Sequence, residues 1–177
     1  MPQGKYWYRD REEGSDPSFG ERIQRLMGIL SHPKDAWLVM RILSWAFLLP
    51  ILKRLVPLKK LSPWMWSEPG SSQDPDYEQK LSTIVRWIYI FIFDDEKSCL
   101  ERSLLLYRYL SRINRNPQLI TGMRRTEAGT WKGHAWIELD GKPFQERTAH
   151  IQDFRPMMVF GPNGSMKVLS DSAEKTQ

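Results

Sequence analysis

The sequence predicts an α+β domain in which helices come first and an antiparallel sheet comes last. Three observations carry that reading. Apolar residues recur at helical spacing as far as the segment ending near Pro117. Beyond it the texture changes to short β-like runs, QLITGM, WKGHAWIEL, KPFQER and MMVFG. The two textures do not interleave, as they would in a parallel α/β fold. With 177 residues, 41% of them apolar, the chain can supply one domain with a real core and an extension.

Taken in order, residues 1–18 are polar, contain Gly and Pro, lack periodicity, and are expected to be disordered. FGERIQRLMGIL, from Phe19, sets Ile23, Leu26, Met27 and Leu30 on one face of a short amphipathic helix. A longer helix is expected to open at SHPKD, where Ser31 or His32 can cap and Pro33 suits the first helical position, and to run towards Pro50. KRLVPLKKLSPWMW, Lys53 to Trp66, alternates basic with large apolar residues. That pattern suits a core edge or a partner groove, and less often a membrane surface. These segments make a helical extension over 19–70, and SEPGSSQDPD, Ser67 to Asp76, reads as its linker.

The core domain is expected over 77–162. In Tyr77 to Phe93, Leu81, Ile84, Val85, Ile88 and Ile92 lie at helical spacing, although IYIFIF would also suit a strand. DDEK breaks that pattern, and a second helix begins at the cysteine and ends between Asn114 and Pro117. The β-like runs follow, and 163–177 is expected to be a flexible tail.

Composition narrows the partners. Twenty-six Lys and Arg against 21 Asp and Glu give a net charge of +5, spread along the chain and compatible with anionic peptides, lipids or nucleic acid. No nucleic-acid-binding motif accompanies it, so nucleic acid is not an expected partner. A single cysteine excludes an internal disulfide, and three histidines without a Cys or His cluster argue against structural zinc. The N-terminus has no apolar signal region, so a cytoplasmic location is expected. AWLVMRILSWAFLLPIL, Ala36 to Leu52, carries Arg41 and Pro50 and falls short of a clean spanning segment. It reads as a buried helix or one lying on a membrane surface.

The only cysteine, Cys99, stands in Ser-Cys-Leu-Glu, a capping-box pattern. Ser98 would cap the helix, Glu101 would reach back to the Ser98 amide, and Cys99 would take the first helical position. There the open amides and the helix dipole favour a thiolate, and the same amides can receive an oxyanion. The bland alternative is a small buried hydrophobe that happens to begin a helix.

GHAWIELDGKPFQER, Gly133 to Arg147, is a hairpin around Asp-Gly. A two-residue loop would set Ala135 opposite Glu146. A three-residue loop, Leu139 to Gly141, would pair Glu138 with Lys142, Trp136 with Phe144 and His134 with Glu146, and this cross-strand chemistry favours the longer loop. His134 and Glu146 would then share a face at a Cβ separation of about 5 Å. Cys99, His134 and Glu146 so acquire the roles of nucleophile, base and orienting acid. Asp140 is a rival acid but sits at the turn; His32 and His150 read as structural, and Arg124 and Arg125 as solvated. The residues of such a site leave open whether water or an amine takes the acyl group, and a non-catalytic scaffold binding through Lys53 to Trp66 is a further alternative.

CLERSL, Cys99 to Leu104, and GHAWIELDG, Gly133 to Gly141, together resemble the transglutaminase-like family of lasso-peptide processing proteins, cysteine peptidases that remove the leader from a precursor peptide. The upstream run RILSWAFLLPILKRLVPLKKL extends the likeness to roughly residues 36–155. The resemblance implies a papain-like core with the cysteine helix packed on an antiparallel sheet, Cys99 as nucleophile and His134 as base. It puts the triad acid, often aspartate, on Glu146. It implies a precursor peptide as substrate, no cofactor, and two partners: a leader-recognition protein supplied in trans and an ATP-dependent cyclase.

Overall fold

The computed structural model describes residues 33–68, 70, 75–93 and 98–169. The expected helix at Phe19 to Leu30, and His32, lie outside them. Four helices come first: α1 (Pro33–Leu55), α2 (Leu58–Met65), α3 (Pro75–Phe91) and α4 (Cys99–Arg112). Then come β1 (Gln118–Arg125), β2 (Trp131–Leu139), β3 (Lys142–Phe144), a single turn α5 (Thr148–Ile151), β4 (Arg155–Phe160) and β5 (Met166–Val168). The five strands form one antiparallel sheet in the order β3-β2-β1-β4-β5. The expected α+β architecture is present.

Alternation along the strands divides the sheet into two faces. Leu119, Ala135, Ile137, Leu139 and Phe160 join the main core beneath the helices, with Leu104, Leu105, Leu106 and Leu110 of α4 at its centre. On the other face Ile120, Trp136, Ile151 and Phe154 make a smaller cluster. Gly122 in β1 keeps that side clear, since a Cβ there would stand 2.8 Å from the Arg155 carbonyl and 3.0 Å from the Trp136 ring.

Three expectations change. Leu38, Ile42, Ala46, Leu49, Leu61 and Met65 of α1 and α2 enter the same core as the sheet, so the division at 70–77 is one of sequence order rather than of packing. Helix α1 does not stop at Pro50 but runs to Leu55. A proline in a helix interior removes one backbone hydrogen bond; here the packing of Leu49 on the core and the Lys53–Glu101 ion pair hold the last turn beyond it. The segment from Asn163 is not a tail as far as Leu169. The Gly164 amide donates to the Tyr107 hydroxyl at 3.1 Å, Ser62 Oγ donates to the Gly164 carbonyl at 3.2 Å, and β5 pairs with β4.

The turn between β2 and β3 also differs. The register pairs Ile137 with Phe144, Glu138 with Pro143 and Leu139 with Lys142, which leaves the two-residue loop Asp140-Gly141. Both loop residues have positive φ, 52° and 73°, as a type I′ turn requires. Turn chemistry therefore overrides the cross-strand pairs expected for the three-residue loop. Had the hairpin continued in this register, Glu146 would have faced Ala135 and pointed away from His134.

Candidate active site

Chain geometry at residue 145 restores the lost pairing. β3 ends after Phe144, and Gln145 takes a left-handed conformation with φ 61°. That turn lifts Glu146 out of the strand alternation and onto the face of His134. His134 Nε2 and Glu146 Oε2 are 2.6 Å apart, with the two side chains 6% and 3% exposed. The pair expected from sequence forms, by a route other than the register that predicted it.

The early end of β3 has a second result. In an antiparallel strand one residue's N–H and C=O point towards the same neighbour, and at Ala135 that neighbour is helix α4 instead of β3. The Ala135 amide donates to the Cys99 thiol, and Ser103 Oγ donates to the Ala135 carbonyl at 3.0 Å. Cys99 and Ser103 lie four residues apart on one helix face. The cysteine helix thus completes the edge of β2 with side chains, which sets the thiol beside His134.

Cys99 occupies the first helical position and Ser98 the cap position, as expected, but the capping box does not form. Ser98 has φ −114° and ψ 18°, and its side chain makes no cap hydrogen bond. Glu101, buried beneath α1, pairs with Lys53 instead of reaching back. The first bond of the helical ladder is Arg102 N–H to the Ser98 carbonyl, at 2.9 Å. The amides of Cys99, Leu100 and Glu101 precede that ladder, where a developing oxyanion could accept from them.

The electrostatics follow from these contacts. Burial pushes the Cys99 thiol up, but the hydrogen bond and positive charge of His134, the Ala135 amide and Arg102 outweigh it, and the thiol pKa falls below its ordinary value. Burial pulls His134 down; hydrogen bonds to Cys99 and Glu146 and the charges of both prevail and raise it to about 9. Glu146 is raised by burial but held down to about 2 by its hydrogen bond to His134, by the nearby His150 ring and by the charges of Arg102 and His134. The arrangement favours a thiolate beside an imidazolium.

Two residues of this cluster are not singled out by the sequence reading. Arg102, one turn after Cys99, places Nη2 2.5 Å from Glu146 Oε1, so the cysteine helix also grips the acid. A signal existed: Arg102 lies at i+3 from Cys99 on the same helix face. His150, read as structural, lies in α5 with Nδ1 3.7 Å from Glu146 Oε2 and its ring edge-on to His134 at 5.2 Å. Its spacing of four residues from Glu146 was the available hint. Asp140 is exposed in the turn and serves it. Arg124 pairs with Asp153 at 3.8 Å and lies over Phe154, whose ring packs 5.1 Å from that of His134. Arg125 donates to the Gly129 carbonyl.

Among the described residues His134, Glu146 and His150 bring potential metal-ligand atoms within 4.8 Å of one another. A metal there would have to break the His134–Glu146 hydrogen bond and compete with Arg102 for the carboxylate. The residues fit an acid-oriented base better than a metal centre.

Neither a curated protein nor a solved structure matches the chain. A family model, the Transglutaminase-like superfamily, matches residues 39–159, from the second turn of α1 to the penultimate residue of β4. A cysteine at the head of a buried helix, a histidine on the adjoining strand and an antiparallel sheet all fall inside that span. The chain belongs to the transglutaminase-like superfamily.

Proposed function

We propose that this protein is a cysteine endopeptidase that removes the leader from a ribosomally made precursor peptide, in maturation of the lasso-peptide type. The observation that carries the proposal is the contact of Cys99 with His134, itself held by Glu146. The superfamily includes cysteine peptidases and acyltransferases, and the CLERSL and GHAWIELDG motifs favour leader removal among these.

The chemistry follows from the geometry. The Cys99 thiolate attacks the carbonyl carbon of the leader–core amide, and the oxyanion is received by the amides at the start of α4. As the C–N bond breaks, His134 gives its proton to the leaving amine. Water, deprotonated by His134, then cleaves the thioester and frees the thiol. Glu146 holds the imidazole and balances its charge throughout. A leader-recognition protein in trans would present the precursor, and an ATP-dependent cyclase would use the liberated core.

The test combines the purified protein with a precursor peptide and both partners, and weighs the products by mass spectrometry. Cleavage at the leader–core junction that Cys99→Ala abolishes supports the proposal; cleavage that survives Cys99→Ala refutes it. A product carrying an added amine in place of water would assign the site to acyl transfer.

A further inference from the structure

A helix apolar on every side belongs inside a core or against lipid. α1 is such a helix, and only its inner face is covered. Leu38, Ile42, Ala46 and Leu49 are buried in the main core. On the outer face Trp37, Met40, Phe47, Ile51 and Leu55 are exposed by 56% to 74%. Their spacings of three, seven, four and four residues keep them in one stripe along the helix. Ser44 fills the gap in that stripe and turns its hydroxyl back onto the Met40 carbonyl at 2.8 Å. Phe47 packs on Phe93, so the apolar surface runs on to the end of α3, where Ile90 and Ile92 are also exposed. Of the apolar window within Asp35–Leu55, 22% is buried, far less than a core helix requires.

The charge along this segment says what covers it. From Pro33 to Trp66 the sequence has Lys34, Arg41, Lys53, Arg54, Lys59 and Lys60 against one acid, Asp35, which pairs with Lys80. Arg54, Lys59 and Lys60 are exposed beside the C-terminal end of the stripe. An apolar stripe with a tryptophan near one end and cations at the other matches the boundary between acyl chains and anionic headgroups. A second copy of the chain would bring the same cations and no acidic complement.

We propose that α1 lies in the plane of an anionic phospholipid bilayer, its Trp37–Leu55 stripe at the headgroup–acyl boundary and Arg54, Lys59 and Lys60 on the phosphates. Spanning the bilayer is incompatible with this fold, because it would pull Leu38, Ile42, Ala46 and Leu49 out of the core and Lys53 from buried Glu101. The inference is independent of the reaction at Cys99.

Vesicle flotation of the full chain tests it. The protein should float with phosphatidylcholine–phosphatidylglycerol vesicles, and less with added salt or with phosphatidylcholine alone. Trp37→Ser/Ile51→Ser/Leu55→Ser should lower binding about tenfold or more. Lys59→Glu/Lys60→Glu should lower it about tenfold on anionic vesicles alone. Both variants should keep the parent's circular dichroism and its labelling of Cys99 by iodoacetamide. Failure to float on anionic vesicles, or equal flotation of a folded triple variant, overturns the proposal. So does a lipid-free dimer in sedimentation velocity that the triple variant dissolves, which would assign the face to a second copy.

Discussion

Strand β2 has two halves along its outer edge, and they are satisfied in different ways. Ile137, Glu138 and Leu139 pair with the short strand β3, as backbone meets backbone in any sheet. Ala135, two residues away, has its amide and carbonyl taken by Cys99 and Ser103 of helix α4. The first half is structural, and its side chains could change while its hydrogen bonds stayed. The second half makes the strand's pairing depend on the residues that do the chemistry. Ending a strand early, at the left-handed Gln145, opens a sheet edge to a helix N-terminus and releases a carboxylate for the neighbouring histidine.

The sharpest way to break the contrast is to remove the base. His134→Ala takes away the hydrogen bond and positive charge that hold the Cys99 thiol below its ordinary pKa. Iodoacetamide labelling near neutral pH should slow by about tenfold or more, and any thiol-dependent turnover should fall by about a thousandfold or more. The pH profile tests the same pair. The ion-pair form needs Cys99 ionised and His134 protonated, so turnover should fall as pH rises through about 9, the value to which His134 is raised. Labelling should persist there, because the thiolate remains.

Next in size is the acid. Glu146→Gln should lower turnover by about 10²-fold while leaving the fold intact. Glu146 is depressed to about 2, so its contribution to stability is present above its ordinary value of 4.5 and is lost as pH falls towards 2. Melting temperature followed from pH 7 down to about 2 should show that acid loss in the parent and a weaker one in Glu146→Gln. Asp140→Asn, at the exposed turn of the structural half, should change turnover less than twofold (about the limit for a surface change). An equal effect of the two substitutions would refute the assignment of the acid.

The smallest effects test the edge itself. Ser103→Ala leaves the buried Ala135 carbonyl without its donor and should cost about 1–2 kcal/mol in urea denaturation. It should slow Cys99 labelling as well, because the helix loses one of its two holds on the strand. Gln145→Gly relieves a left-handed residue and should be stabilising by about 1 kcal/mol, whereas Gln145→Val should disfavour that conformation and weaken the His134–Glu146 contact.

Much of this was legible in the sequence because it is local. The order of helices and strands follows from periodicity, and the place of Cys99 at a helix start follows from a break in it. Asp-Gly carries its own turn geometry, and that local preference outweighs the cross-strand pairs in setting the register. What could not be read depends on neighbours distant along the chain. Glu101 has the spacing of a capping residue and becomes the partner of Lys53, because burial under α1 makes an ion pair worth more than an exposed cap. Nothing about glutamine announces a positive φ, so the turn that delivers Glu146 is set by the packing around it.

By itself, then, the sequence determined an α+β chain with a cysteine at a helix N-terminus and a histidine on a strand, since those depend on residues a few positions apart. Tertiary structure alone decided that Arg102 and His150 gather around Glu146, that Ala135 is shared with the cysteine helix, and that one face of α1 is left bare. A periodic pattern reports that a residue is apolar or which way it points along its own element. Only the closed chain decides what stands opposite.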